Sequence, residues 1–247
     1  MEGANAVSEW KGAWFLAKQE MLKDRWRSLI TLAFVIYLLI FSIPLFTAGL
    51  EEGSTISFTW ATDFIYLSLL PCLGFVFNKT MMGYWKNDTY TKKLAHWRTM
   101  PISSRQITLG RLIQLTIVLF IAQLIFFTLQ YSVLYLSHVN IPVLDFAMYG
   151  LFWFCYSLTV ATSYVYWEIG HTGKRYFLMS FIYNFTFLII AICLAVFKAG
   201  NIVVTSLNMI DDGNWWIVPA VLAVSVAALF IGMNRMEHRL EKRSYRD

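Results

Sequence analysis

The chain has 247 residues, 58% of them hydrophobic and only 14% charged, with a formal net charge of +5. A soluble domain is apolar over roughly 45–50% of its residues, so this composition excludes a water-soluble globule and points to a lipid bilayer. No polar stretch is long enough to build a core of its own, so residues 1–247 read as a single transmembrane domain of the all-α class.

The chain opens with a polar arm, residues 1–28. Within it Trp10, Ala13, Trp14, Ala17 and Met21 recur at intervals of three and four residues, with Lys11, Lys18 and Lys23 elsewhere on the wheel. That pattern predicts an amphipathic helix lying in the membrane interface. The first apolar run begins only at Leu29 and is long enough to span, so a cleavable signal is not expected.

Six runs are long and apolar enough to cross a hydrocarbon core of ~30 Å: residues 29–46, 60–77, 112–136, 143–167, 176–197 and 215–233. They lack the polar and apolar alternation of barrel strands, and lipid offers the backbone no hydrogen bonds, so they are expected to be helices. Trp60, Trp167, Trp215 and Trp216 fall near span ends, where indole rings favour the interface.

Basic residues set the orientation. Nineteen of the twenty Lys and Arg fall in the arm, the link between spans two and three, the turn after span four and the tail, residues 234–247. Only Lys198 lies on the other face, which carries Glu51, Glu52, Asp145, Asp211 and Asp212. By the positive-inside rule both termini are cytoplasmic, in a multi-pass protein of the cell's inner or plasma membrane. The pI near 9.1 then reflects topology and contact with the lipid bilayer rather than a nucleic-acid partner.

The link 78–111 is the most structured polar segment. Asp88 or Thr89 caps a short helix in which Tyr90, Leu94 and Trp97 share one face, while Lys92, Lys93 and His96 point away. Pro101 stops it, because proline disfavours helix at the residue before it. Ser103 and Gln106 then form an S-x-x-Q capping box, flanked by Ile102 and Ile107 as a hydrophobic staple, so the third long helix starts at Ser103. Arg105 and Arg111 are expected to hold its first turns among the headgroups.

An N-terminal interfacial helix, six spans with both ends inside, a cytoplasmic helix between spans two and three, and the run RTMPISSRQITLGR together resemble permeases of the ATP-binding cassette type-2 exporter class. The resemblance implies a coupling helix, with Tyr90, Lys92, Lys93, Leu94, Trp97 and Arg98 docking into a cytoplasmic ATPase. It also implies two such ATPase subunits, which bind ATP and Mg in place of any cofactor on this chain, and a second permease, identical or sister. The exported substrate is expected to be hydrophobic or amphipathic: a peptide, a drug or a lipid. The chain departs from the family in its short outer connection, residues 198–214, and in having Asp88 as the sole acid between Asn78 and Arg111.

No complete phosphate loop is present. The nearest approach, GHTGKR at residues 170–175, has too short a glycine spacing and follows a span, so it reads as a basic turn. His171, Lys174 and Arg175 there are candidates for a second ATPase contact. His96, His138, His171 and His238 are scattered without zinc spacing, and Cys72, Cys155 and Cys193 read as small buried packers. Catalysis by the chain itself is not expected, because the spans hold almost no ionisable groups. Asp63 and Glu168 lie near span ends, where snorkelling or a helix-end partner accounts for them. Gln123 and Gln130, seven residues apart on one face of the third span, line a path or glue helices, with glue favoured. Ala220, Ala223, Ala227, Ala228 and Gly232 offer the sixth span small-residue faces for packing within the subunit or along a dimer seam. A non-transporting immunity or sensor subunit that recruits a cytoplasmic partner is the alternative reading of the whole chain.

Overall fold

The structure is a computed structural model that describes residues 2–23, 28–50, 59–75, 94–95, 97, 99–100, 102–197 and 200–242. All regular structure among them is helical. In chain order it comprises α1 (Glu2–Lys23), α2 (Ser28–Leu50), a broken helix, α5 (Ser104–Leu136), α6 (Val143–Gly170), α7 (Gly173–Val196), α8 (Ile202–Asp211) and α9 (Ile217–Lys242). The broken helix consists of α3 (Thr59–Phe64), a π-helical stretch (Ile65–Leu69) and α4 (Leu70–Cys72).

Five helices, α2, α5, α6, α7 and α9, are long and apolar enough to cross a membrane, which marks a multi-pass membrane protein. The broken helix occupies the place of the expected crossing at 60–77, whose last two residues lie outside the described region.

Helix ends depart from the hydropathy boundaries for local reasons. α5 begins eight residues before its apolar run because the capping box forms. The Gln106 N–H donates to Ser103 Oγ and the Ser103 N–H donates to Gln106 Oε1, both at 3.1 Å. α9 continues through the expected polar tail to Lys242, since Met236 and Leu240 extend its buried face. The link before α9 is more than a connection. Asn201 Oδ1 accepts the Val203 and Val204 N–H groups at 2.9 and 3.2 Å and starts the amphipathic α8, which buries Val203, Leu207 and Ile210. Gly213, at φ +83°, ends it in the left-handed region, and the next amide closes back onto the Met209 carbonyl at 3.1 Å.

The core divides along the bundle axis. One cluster, called outer only because it lies away from the end where the basic residues collect, gathers Leu38 and Phe46 of α2, Tyr66 and Leu70 of the broken helix, Phe126 of α5, Tyr149 and Trp153 of α6, and Leu207 of α8. A second cluster, at the end where the basic residues collect, gathers Phe75, Leu94, Leu112 and Leu115, Val165 and Ile169, Tyr176, Met236 and Leu240. Small residues allow the close crossings. A Cβ on Gly232 of α9 would lie 2.6 Å from Thr162 Cγ2 of α6, and one on Gly110 of α5 would lie 3.0 Å from the Ala13 carbonyl of α1. In α9, therefore, Gly232 packs within the subunit while Ala220, Ala223 and Ala227 face outward.

α1 forms as expected but presents a narrower face. Ala13 and Ala17 are buried against α5, whereas Trp10 and Trp14 remain largely exposed beside them. Bulky indoles cannot enter a crossing set by Gly110, so the alanines make the contact and the tryptophans flank it.

Candidate functional site

The least regular element lies at the centre of the bundle, and Pro71 explains it. Proline has no N–H to donate to the carbonyl four residues back, and its ring crowds that carbonyl. Here the residue four back is Leu67. The helix widens to π geometry over Ile65–Leu69, with the Leu70 N–H reaching the Ile65 carbonyl. The Leu67 carbonyl instead accepts the Tyr156 hydroxyl of α6 at 3.0 Å. Neighbouring helices thus satisfy backbone that lipid would leave bare.

Three further helix side chains close on the same stretch. Tyr66 Oη donates to Gln130 Oε1 of α5 at 2.9 Å. Ser68 Oγ donates to Asn184 Oδ1 of α7, whose Nδ2 donates to the Ser180 carbonyl at 2.8 Å. Gln123 Nε2 points to the Leu70 carbonyl at 3.5 Å, a long contact. Gln123 and Gln130 therefore face inward and tie α5 to the broken helix. Around them an aromatic layer packs edge to face, with Tyr66 and Trp153 ring centroids 4.9 Å apart. The Gln130 amide nitrogen and the Gln123 carbonyl oxygen are buried without a hydrogen-bond partner among the described residues. Polar capacity at the centre exceeds what this arrangement uses. Of this constellation the sequence pointed to Gln123 and Gln130; Pro71 inside an apolar run was the missed signal.

At the basic end, Arg111 is largely buried and paired within the bundle. Its guanidinium turns inward to Glu168 of α6, with Nη2 to Oε2 at 2.8 Å and Nε to Oε2 at 3.1 Å, and its Nη1 donates to Gln114 Oε1 at 3.0 Å. The same guanidinium lies 5.6 Å from the Phe75 ring centroid. Arg105 stays exposed and meets Glu9 of α1 at 3.7 Å. At the outer end, Asp63 accepts the Val203 N–H at 3.1 Å, so of the two expectations for it the helix-end partner is realised. Asp145 accepts the Trp215 indole N–H at 3.2 Å.

Of the expected coupling residues, Leu94 and Trp97 are described, while Tyr90, Lys92, Lys93 and Arg98 lie outside the described residues. Leu94 is 0% exposed in the basic-end cluster and Trp97 packs partly buried against it. Both hold their segment to this chain's own helices. In the turn between α6 and α7, His171 packs its ring 4.5 Å from Trp167, whereas Lys174 and Arg175 are exposed on the first turn of α7. Gly170 admits Arg239 of the α9 extension, whose Cγ lies 3.1 Å from where a Cβ would be. The turn and the tail helix therefore meet in one basic surface. A cavity of about 440 Å³ opens between α5 and α6, lined by Phe120, Phe127, Tyr131, Phe146 and Phe154 with Gln123 at its wall. Among the described residues no three His, Cys, Asp or Glu side chains gather as a metal would require. No protein-family model matches the chain, and neither the curated proteins nor the solved structures give a match.

Proposed function

We propose that the chain is the six-span permease subunit of an ATP-binding cassette exporter, with both termini in the cytoplasm and the broken helix as its second span. Hydrolysis belongs to two separate cytoplasmic ATPase subunits that hold ATP and Mg, and a second permease completes the pathway. The observation that supports the reading most is the seating of Leu94. Buried among residues of α5, α6, α7 and α9, it joins the link ahead of α5 to four long helices. A push on that link from a cytoplasmic partner then shifts helices rather than a loose loop. The exposed Lys174 and Arg175, beside the α9 extension, offer a second place for the same partner.

The apolar, aromatic cavity between α5 and α6 supports a hydrophobic or amphipathic cargo, since such sites pair apolar walls with few polar groups. Copurification with an ATP-binding cassette ATPase, followed by ATP-dependent efflux from vesicles holding both, is the test. Membrane labelling adds a second axis: cysteines at the exposed Asn140 and Asp212 react from outside intact cells, and one at Lys174 does not. A partner that copurifies but drives no efflux would favour the immunity or sensor role, and labelling of Lys174 from outside would overturn the orientation.

A further inference from the structure

The broken helix joins the two halves of the core. Its residues Tyr66, Leu67 and Leu70 belong to the outer cluster, as does Leu73 in the turn that follows Cys72, and Phe75 at the end of that turn belongs to the basic-end cluster. The outer half is fixed by the Asp63 contact to the start of α8. The other half lies close on α5, where a Cβ on Gly74 would come within 2.8 Å of Leu115 Cδ1. Between the two anchors lies the stretch in which Pro71 removes a helical hydrogen bond and the π turn spreads the backbone. Beside its own backbone bonds it is held by side chains on other helices: the Tyr156 hydroxyl on the Leu67 carbonyl and the Ser68–Asn184 pair. Side-chain bonds of this kind can be exchanged one at a time, whereas an uninterrupted α-helix resists bending. Sharp bends in helices arise at proline and at π turns, and here both coincide.

We propose that Leu67–Pro71 is a hinge in this helix, held in one setting by Tyr156 of α6 and Asn184 of α7. The buried, unpartnered Gln130 nitrogen and Gln123 oxygen provide bonding capacity for a second setting, so movement of the hinge need not leave its polar groups bare. Release of the two latching bonds lets the helix end and the turn bearing Phe75 change their angle to the part bearing Asp63. Bonding by the unused groups in the new setting makes two discrete states rather than a continuous wobble. The hinge rests on the geometry of the broken helix and stands whether or not an ATPase is the partner.

The sequence supplies a direct reporter. It contains two Leu–Ser pairs, Leu67–Ser68 at the hinge and Leu136–Ser137 at the end of α5. The full chain in liposomes, labelled with carbonyl carbon-13 leucine and nitrogen-15 serine, gives one directly bonded cross-peak for each in solid-state NMR. Tyr156→Phe removes the hydroxyl with little change in shape. The expected result is that the Leu67–Ser68 peak splits into two, with the minor state at least several-fold more populated than in the parent, while Leu136–Ser137 stays single. Adding Pro71→Ala restores an N–H for the Leu67 carbonyl and should return the hinge peak to one. Asn184→Leu offers an independent release that leaves Tyr156 and the labelled Leu67–Ser68 pair in place and should split the peak in the same way. A hinge peak that only shifts and stays single in both Tyr156→Phe and Asn184→Leu would show a static bend and overturn the proposal. Equal splitting of both peaks would show general loosening and overturn it as well. Transport is not measured, so failure here is separable from failure of the permease assignment.

Discussion

Arg111 of α5 and Glu168 of α6 form a buried ion pair at 2.8 Å, with side chains only 13% and 7% exposed. Buried pairs of this kind add little net stability over apolar residues of similar size, yet breaking one partner strands the other charge at a cost of about 3–5 kcal/mol. Arg111→Met or Glu168→Leu alone should therefore lower the thermal midpoint of the purified chain sharply. The double substitution should recover most of the loss. Tryptophan fluorescence during heating in detergent reads both, and a double variant as weak as either single would contradict a self-contained pair.

Leu94 provides a second test, carried out with no partner present. Truncating a fully buried leucine costs about 2–5 kcal/mol through lost burial and the cavity left behind. Leu94→Ala should thus destabilise the isolated chain. Trp97, only partly buried against the same cluster, should cost less when cut to Ala. If Leu94 served only as an anchor in a partner's pocket, the isolated variant would unfold at the parent temperature.

At the outer end, two oxygens from different elements, Asp63 Oδ1 and Asn201 Oδ1, share the Val203 N–H. Loss of an N-cap side chain costs about 0.5–2 kcal/mol, so Asn201→Ala should fray the start of α8. Asp63→Asn keeps an oxygen acceptor and should be tolerated better than Asp63→Ala. A cysteine placed at the half-exposed Met209 should react faster with a soluble maleimide as α8 loosens, in the order Asp63→Ala above Asp63→Asn. Equal rates would mean that Asp63 does not hold α8.

The crossing of α9 on α6 should be intolerant at one position and indifferent one turn away. A Cβ at residue 232 meets Thr162 Cγ2 at 2.6 Å, and forced overpacking costs about 1–3 kcal/mol. Gly232→Val should reduce stability and the yield of folded protein. Ala227→Val, on the outward face, should change neither. The comparison is read by size-exclusion profile and thermal midpoint, and a harmful Ala227→Val would instead mark that face as an assembly surface.

Hydropathy and charge were enough to establish an all-helical membrane chain, because long apolar runs can satisfy their backbone in lipid only as helices. The start of α5 was also legible. A Ser–Gln capping box is a local contact three residues long, so its geometry follows from sequence spacing. The inward face of Gln123 and Gln130 was legible as well, since two amides seven residues apart must share a side of one helix. What the neighbours supply was not. Arg111 looked like a headgroup residue until Glu168, fifty-seven positions later, was seen beside it. Leu94 looked like an outward anchor because its periodicity gives a face but not what that face meets. The helix in the outer link rests on Asn201 and on apolar contacts to distant elements. Pro71 announced a disturbance, but whether it would kink, break or widen the helix depended on Tyr156 and Asn184 arriving from two other helices to hold the π turn. Local rules decide where helices begin and which residues share a face; only the packed bundle decides which partner each polar group finds, because those partners are brought together by the fold and not by the chain.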